Sequence, residues 1–224
     1  MRFNKIMTAL AATGMMLSFT TPVHAAKAKY KIVTHKQTKY YPHSKIRFYF
    51  QQPVLQGKSA AVKKINKSLA NHYKKDLKFY KKGGYEMAKD VSSWYPNYNK
   101  AAAYGLDEYT GTHVYNGKKY FSVGYHRIDV AYQAAHEWAE AGTYSLKTGK
   151  KLKLTDLIKG SKKTIAKKIY RVQDKYDKFS LKGRSLNPNK MEFIVKGNKI
   201  YITRYSSMYA LGGYTFLNPV KIDK

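Results

Sequence analysis

The hydrophobic pattern changes period once, between residues 50 and 60, and that change limits the chain to folds that mix strand with helix. Before it, Ile46, Phe48 and Phe50 alternate with Arg47, Tyr49 and Gln51, the two-residue repeat of a half-buried strand. After it, Val62, Ile65, Leu69, Tyr73, Leu77 and Tyr80 recur at steps of three and four, the repeat of one helical face. Ser59 stands where an N-cap hydroxyl is needed, and Gly83-Gly84 stop the run. The opposite face carries Lys63, Lys64, Lys67, Lys74, Lys75 and Lys78. A basic amphipathic helix can lie on a membrane, so peripheral membrane contact stays open. A stripe of Tyr and Leu more often packs on a sheet, so this face is expected to pack inward.

The same logic places the other elements. "KYKIVTHKQTKYY" reads as a strand ahead of the first alternation, whereas residues 84–112 lack a clean period and read as an irregular excursion. Strands resume at His113, with Asn116-Gly117 as a two-residue hairpin turn, and Phe121, Val123 and Tyr125 alternate beyond it. "GTYSLKTGKKLKLTDLI" reads as strand, Thr148-Gly149 turn, short strand and a one-turn helix. A second amphipathic helix starts near Ser161 with Ile165, Ile169, Val172 and Tyr176 inward. A hairpin turning at Gly197-Asn198 follows. The expected class is α+β, with antiparallel sheets and two amphipathic helices packed on them. Two lobes are expected, 26–112 and 113–224, either separate or built on one shared core.

Arg2 and Lys5 precede an uncharged apolar run from Ile6 to Phe19, and "TPVHAA" follows with small residues at Val23 and Ala25. That is the layout of a signal peptide, 1–25, cleaved after Ala25. The run is too short to span a bilayer comfortably. The chain has no cysteine, so an exported form has no disulfides and its core alone must hold the fold. Cysteine-free export fits a Gram-positive bacterium, with a secreted, wall-associated location.

Charge then narrows the partners. Of 43 basic residues, 41 lie outside the leader against 13 acidic ones, a net charge of +28. Residues 26–75 hold 13 basic residues and no acid, residues 76–140 hold eight of each, and residues 141–224 hold 20 basic and five acidic. Such a field favours a polyanionic neighbour. Outside a bacterium, teichoic acid or anionic lipid suits it better than nucleic acid, and no specific nucleic-acid partner is expected. A generally basic, solvated surface would give the same counts.

The segment "GTYSLKTGKKLKLTDLI" resembles the hallmark of the extracellular domain in RsiV-type anti-sigma factors, a module also found N-terminal to some PdaC-type peptidoglycan deacetylases. Tyr132, Ala135 and His136 match that family's Tyr-x-Gly-Gly-Ala-His strand. Tyr144, Leu146, Thr148 and Gly149 match its Phe-x-Leu-x-Thr-Gly segment, and Leu154, Asp156 and Leu157 its Leu-x-Asp-Leu helix. Tyr205, Tyr209, Ala210 and Gly212 fit its Tyr-rich close loosely, and Ile65-Asn66 fits its partner region. Ala134 replaces a glycine, and "EWAEA" lengthens the following connection. The resemblance implies an extracellular sensing or binding module of unknown function. RsiV-like modules engage lysozyme, so a decoy or inhibitor is a second reading. The sequence carries neither the paired Asp nor the His-x-x-x-His segment of the deacetylase domain.

No catalytic constellation emerges. "HEWAE", His136 to Glu140, is one residue short of the zinc-protease motif His-Glu-x-x-His, which needs a helix to bring positions i and i+4 together. The chain is instead heading into the strand at Tyr144, and a third ligand would have to come from His113 or His126. No metal and no cofactor are therefore expected. His126 and Asp129 fall on opposite faces of a strand, and carboxylates such as Asp107, Glu108, Glu137 and Glu140 mark no hydrolytic pair. A wall-polymer hydrolase stays a third reading. The favoured function is a non-enzymatic protein that binds a wall component, teichoic acid or peptidoglycan. Trp94, Tyr95, Tyr132, His136, Glu137, Trp138 and Tyr209 are its expected ligand-contacting residues, with Lys63, Lys64, Lys67, Lys74 and Lys75 facing anionic polymer.

Overall fold

Strand β1 (Tyr30–Tyr41) and strand β2 (Ser44–Leu55) form an antiparallel hairpin paired from Tyr41↔Ser44 to Tyr30↔Leu55. The computed structural model describes residues 27–41, 44–84, 86, 105–131, 134–174, 186–203 and 220–223. Helix α1 (Ala60–Phe79) follows β2 and runs into a π-helical turn at Tyr80–Gly84. The chain re-enters the sheet as β3 (Gly105–Asn116), then β4 (Tyr120–Ala131) and β5 (Ala134–Ser145). These five strands lie side by side in chain order. Every pairing is antiparallel except β2–β3, which is parallel because the connection through α1 returns the chain to the same end of the sheet. The fold is α+β, with one mixed and one antiparallel sheet.

The helix forms as its pattern requires. Ser59 Oγ accepts the Val62 N–H, and Ile65, Leu69 and Tyr80 bury against Ile46, Phe48, Phe50, Val123 and Tyr125. Asn66 fixes the helix to the end of β2, where its side chain accepts from Leu55 N–H at 2.8 Å and donates to Leu55 C=O at 2.9 Å. A second clasp comes from far along the chain. Gly149, with φ +72°, sits against the first turn of α1, where a Cβ would stand 2.5 Å from Ala61 O. The Ser68 and Tyr144 hydroxyls meet at 3.1 Å beside it.

On the other face of β4 and β5 lies a smaller antiparallel sheet, β6 (Phe193–Lys196), β7 (Lys199–Ile202) and β8 (Val220–Lys221). Helices α2 (Leu154–Leu157) and α3 (Lys162–Asp174) complete its core through Leu154, Leu157, Ile165 and Ile169. Sandwiched in this way, β4 is buried on both faces from Phe121 to Tyr125. Buried hydroxyls join the two sheets. Val195 N–H donates to Ser122 Oγ, Ser122 lies 2.9 Å from Thr143 Oγ1, and Thr143 donates to Phe193 C=O at 2.7 Å.

Three expectations change. Residues 105–112 are strand rather than irregular, so the boundary expected at 112/113 falls inside β3, and one sheet is built from both segments. The turn expected at Asn116-Gly117 closes two residues later, with Gly117 N–H bonding Tyr120 C=O around Lys118-Lys119. "HEWAEA" is strand throughout, paired to β4 from Ala131↔Ala134 onward, rather than a lengthened loop. The leader at 1–25 lies outside the described residues. Among the described residues no helix is long and apolar enough to cross a membrane.

Candidate functional site

The last turns of α1 cross β4 and β5, and the residues that meet there are polar. His72 and Asp76 occupy positions i and i+4 of the helix, so both project from one face. Tyr125 and Glu140 are directly opposed across the β4–β5 ladder, which points them to the same side of the sheet, beneath that face. The Tyr125 ring stacks on the His72 imidazole, with centroids 4.1 Å apart and planes 16° from parallel. His72 Nε2 lies 3.2 Å from Glu140 Oε2 and 3.7 Å from Asp76 Oδ2.

Burial sets the protonation of this group. Asp76 is 1 % exposed, and neither carboxylate oxygen makes a hydrogen bond among the described residues. Loss of water, then the neighbouring Glu140 carboxylate, push its pKa up to about 7. Burial also lowers His72 to about 4, leaving its ring neutral near physiological pH. Its Nε2 and the Tyr125 hydroxyl are likewise without a hydrogen bond among the described residues. The Nε2–Glu140 approach is short enough for one, but its alignment is not that of a hydrogen bond.

Asp76 and Glu140 reach the wall of a cavity of about 500 Å³, shared with Lys75, Arg127, Lys190 and Glu192. The Arg127 guanidinium forks onto Asp129 at 3.0 and 3.3 Å and lies 4.5 Å over the Phe79 ring. Lys75 Nζ stands 3.9 Å from Glu140 Oε1, and Glu192 accepts the Ala141 N–H at 2.8 Å and Lys151 Nζ at 3.3 Å. A neutral imidazole beside two carboxylates at the wall of a cavity can share a proton or hold a cation.

Of the residues expected from sequence, Trp94, Tyr95, Tyr132 and Tyr209 lie outside the described residues. His136, Glu137 and Trp138 belong to β5, opposite Asp129, Ile128 and Arg127. Because "HEWAE" is a strand, His136 and Glu140 are about 13 Å apart along it and form no helical metal motif. Glu140 does meet a histidine, but it is His72, 68 residues earlier. The sign of this in the sequence is two polar residues, His72 and Asp76, continuing the buried Ile65–Leu69 stripe at steps of three and four.

The lysine face expected on α1 is present, with Lys63, Lys64, Lys67, Lys74, Lys75 and Lys78 all exposed. Only Lys75 leans into the cavity. On the opposite face of the sheet, Tyr49 and Tyr109 stack at 4.6 Å and 8°, with Lys36 Nζ 5.6 Å over the Tyr49 ring. Tyr109 is 42 % exposed, a surface aromatic that the alternation alone did not single out.

No family model and no curated protein matches this sequence. Among solved structures, the chain is similar to a DUF3298 family member from Bacteroides fragilis, at 17 % identity and a TM-score of 0.54. The match covers 89 % of this chain and 90 % of that one. A DUF3298 family protein from Pseudomonas aeruginosa is similar at 6 % identity and a TM-score of 0.46, over 79 % of this chain and 82 % of that one. The first of these likenesses shows the shared fold.

Proposed function

We propose that the chain is an exported, non-enzymatic protein of the cell envelope that binds anionic wall polymer through the outer face of α1, a relative of the RsiV-type extracellular module. One observation carries this reading. The described carboxylates that form ion pairs are spent elsewhere: Asp129 on Arg127, Asp156 on Lys150, Glu192 on Lys151, Asp223 on Lys168, and Glu140 on Lys75. Among the described residues none is paired with Lys63, Lys64, Lys67, Lys74 or Lys78, so that face keeps its charge for an external partner. Single exposed pairs contribute little, but a row of lysines along one helix raises the local potential for a polyphosphate chain. The stacked Tyr49–Tyr109 pair offers a flat surface of the kind sugars stack on, which fits a glycan component.

A lysozyme-type partner would be strongly basic and would need an acidic patch. Glu140, one of the four acids suited to that patch, is turned toward His72 and Lys75. The polymer reading is tested by co-sedimentation with purified Gram-positive walls. Bound protein should fall steeply between about 50 and 500 mM salt, where the screening length shrinks from roughly 14 to 4 Å. It should also fall when teichoic acid is stripped and when Lys63, Lys67 and Lys74 are changed together to Glu. Binding indifferent to salt, to stripping and to the triple substitution would sink the proposal.

A further inference from the structure

His72, Asp76 and Glu140 bring one ligand atom each to within 4.8 Å of one another. Donors held about 2.1 Å from a tetrahedral ion stand roughly 3.4 Å apart, and the separations of 3.2 and 3.7 Å from His72 Nε2 bracket that spacing. We propose that these three side chains bind one first-row transition-metal dication of the zinc class, through His72 Nε2, one Asp76 oxygen and one Glu140 oxygen.

The strongest support is Asp76, almost wholly buried, with both oxygens lacking a hydrogen bond among the described residues. A bare carboxylate there is costly, and Glu140 beside it raises the cost. A dication against two carboxylates sums to zero charge, the state a poorly solvated site favours. The site is also built to hold its shape. Two ligands sit on successive turns of α1, the third on a central run of β5, and the Tyr125 ring stacked on His72 fixes the imidazole plane. The imidazole donor favours zinc-like ions over calcium and magnesium, which prefer oxygen. The cavity reaches Asp76 and Glu140, so a remaining coordination position is open to water or to an anionic group of a ligand.

The test is equilibrium dialysis and thermal denaturation of metal-stripped protein with zinc alone, then with manganese, calcium and magnesium. One equivalent of zinc should bind and raise the Tm, and calcium and magnesium should not. Asp76→Asn and Glu140→Gln should each weaken zinc binding by at least about tenfold, while His113→Ala on the surface leaves it unchanged. Native-like circular dichroism and cooperative melting of the stripped variants separate loss of zinc binding from misfolding. Binding of less than one equivalent, or full binding retained in both carboxylate variants, overturns the site.

Discussion

Replacing Asp76 by Asn should make the metal-free protein more stable, and by an amount that grows with pH. In the unfolded chain this carboxyl releases its proton near 3.8, and in the fold it holds it to about 7. Between those values the native state carries a proton that the unfolded state has lost, so stability falls as the pH rises through that window. Above about pH 7 both states are ionised and the full penalty stands. A displacement of about three pH units corresponds to at most roughly 4 kcal/mol. Asn has the same shape and no charge to bury. His72 is lowered to about 4, so it contributes stability that is lost as the pH falls from 6.5 toward 4. It is present in both proteins and cancels to first order. Urea unfolding of both, stripped with chelator, should therefore give curves that converge near about pH 4 and separate by up to about 4 kcal/mol near pH 8. A separation that does not widen with pH, or an Asn variant that is the less stable one at pH 8, would refute the reasoning.

Two further substitutions probe how the fold is clasped. Gly149→Ala combines a left-handed backbone with a Cβ driven into Ala61 O, and should cost about 3 kcal/mol in urea unfolding; a loss below about 1 kcal/mol would mean the turn does not press on α1 as described. Thr143→Val keeps the volume but leaves Phe193 C=O without its donor and the Ser122 hydroxyl without its neighbour, a loss of about 1–3 kcal/mol. Combined with Ser122→Ala it should be clearly less than additive, and strict additivity would show that the hydroxyls act independently.

Much of the architecture could be read from local pattern. The period switch after β2, the Ser59 cap, the inward Ile165 and Ile169 and the Gly197-Asn198 turn all lie where short-range rules place them. The first half of β3 was not legible, because a strand between two others normally advertises itself with branched apolar residues. Here Thr110 and Gly111 are buried instead, and the Tyr109 ring covers Gly111 so closely that a Cβ would sit 3.2 Å from it. Strand β5 was masked differently: its carboxylates break the apolar alternation, although Glu140 faces into the molecule to meet His72. The site itself depends on an approach between α1 and β5. Nothing in the spacing of His72 and Asp76 names Glu140 as the third member, and only the register Tyr125↔Glu140 brings it under the helix. The tempting local motif, His136 to Glu140, needed a helical period that the backbone does not have there.

The hydroxyls between the two sheets have one further effect. Thr143 spends its proton on Phe193 C=O, so Ser122 must turn its own proton toward Thr143 and accept from Val195 N–H. The relay therefore has a fixed direction, entering at one amide and leaving at one carbonyl. Sliding β6 by a single residue along β4 and β5 would set donor against donor and acceptor against acceptor in a place that water does not reach. Apolar packing between sheets tolerates small slips, whereas this one-way chain of protons does not. The small sheet is thus keyed to a single seat, and the position of Glu192 at the cavity wall is inherited from that key.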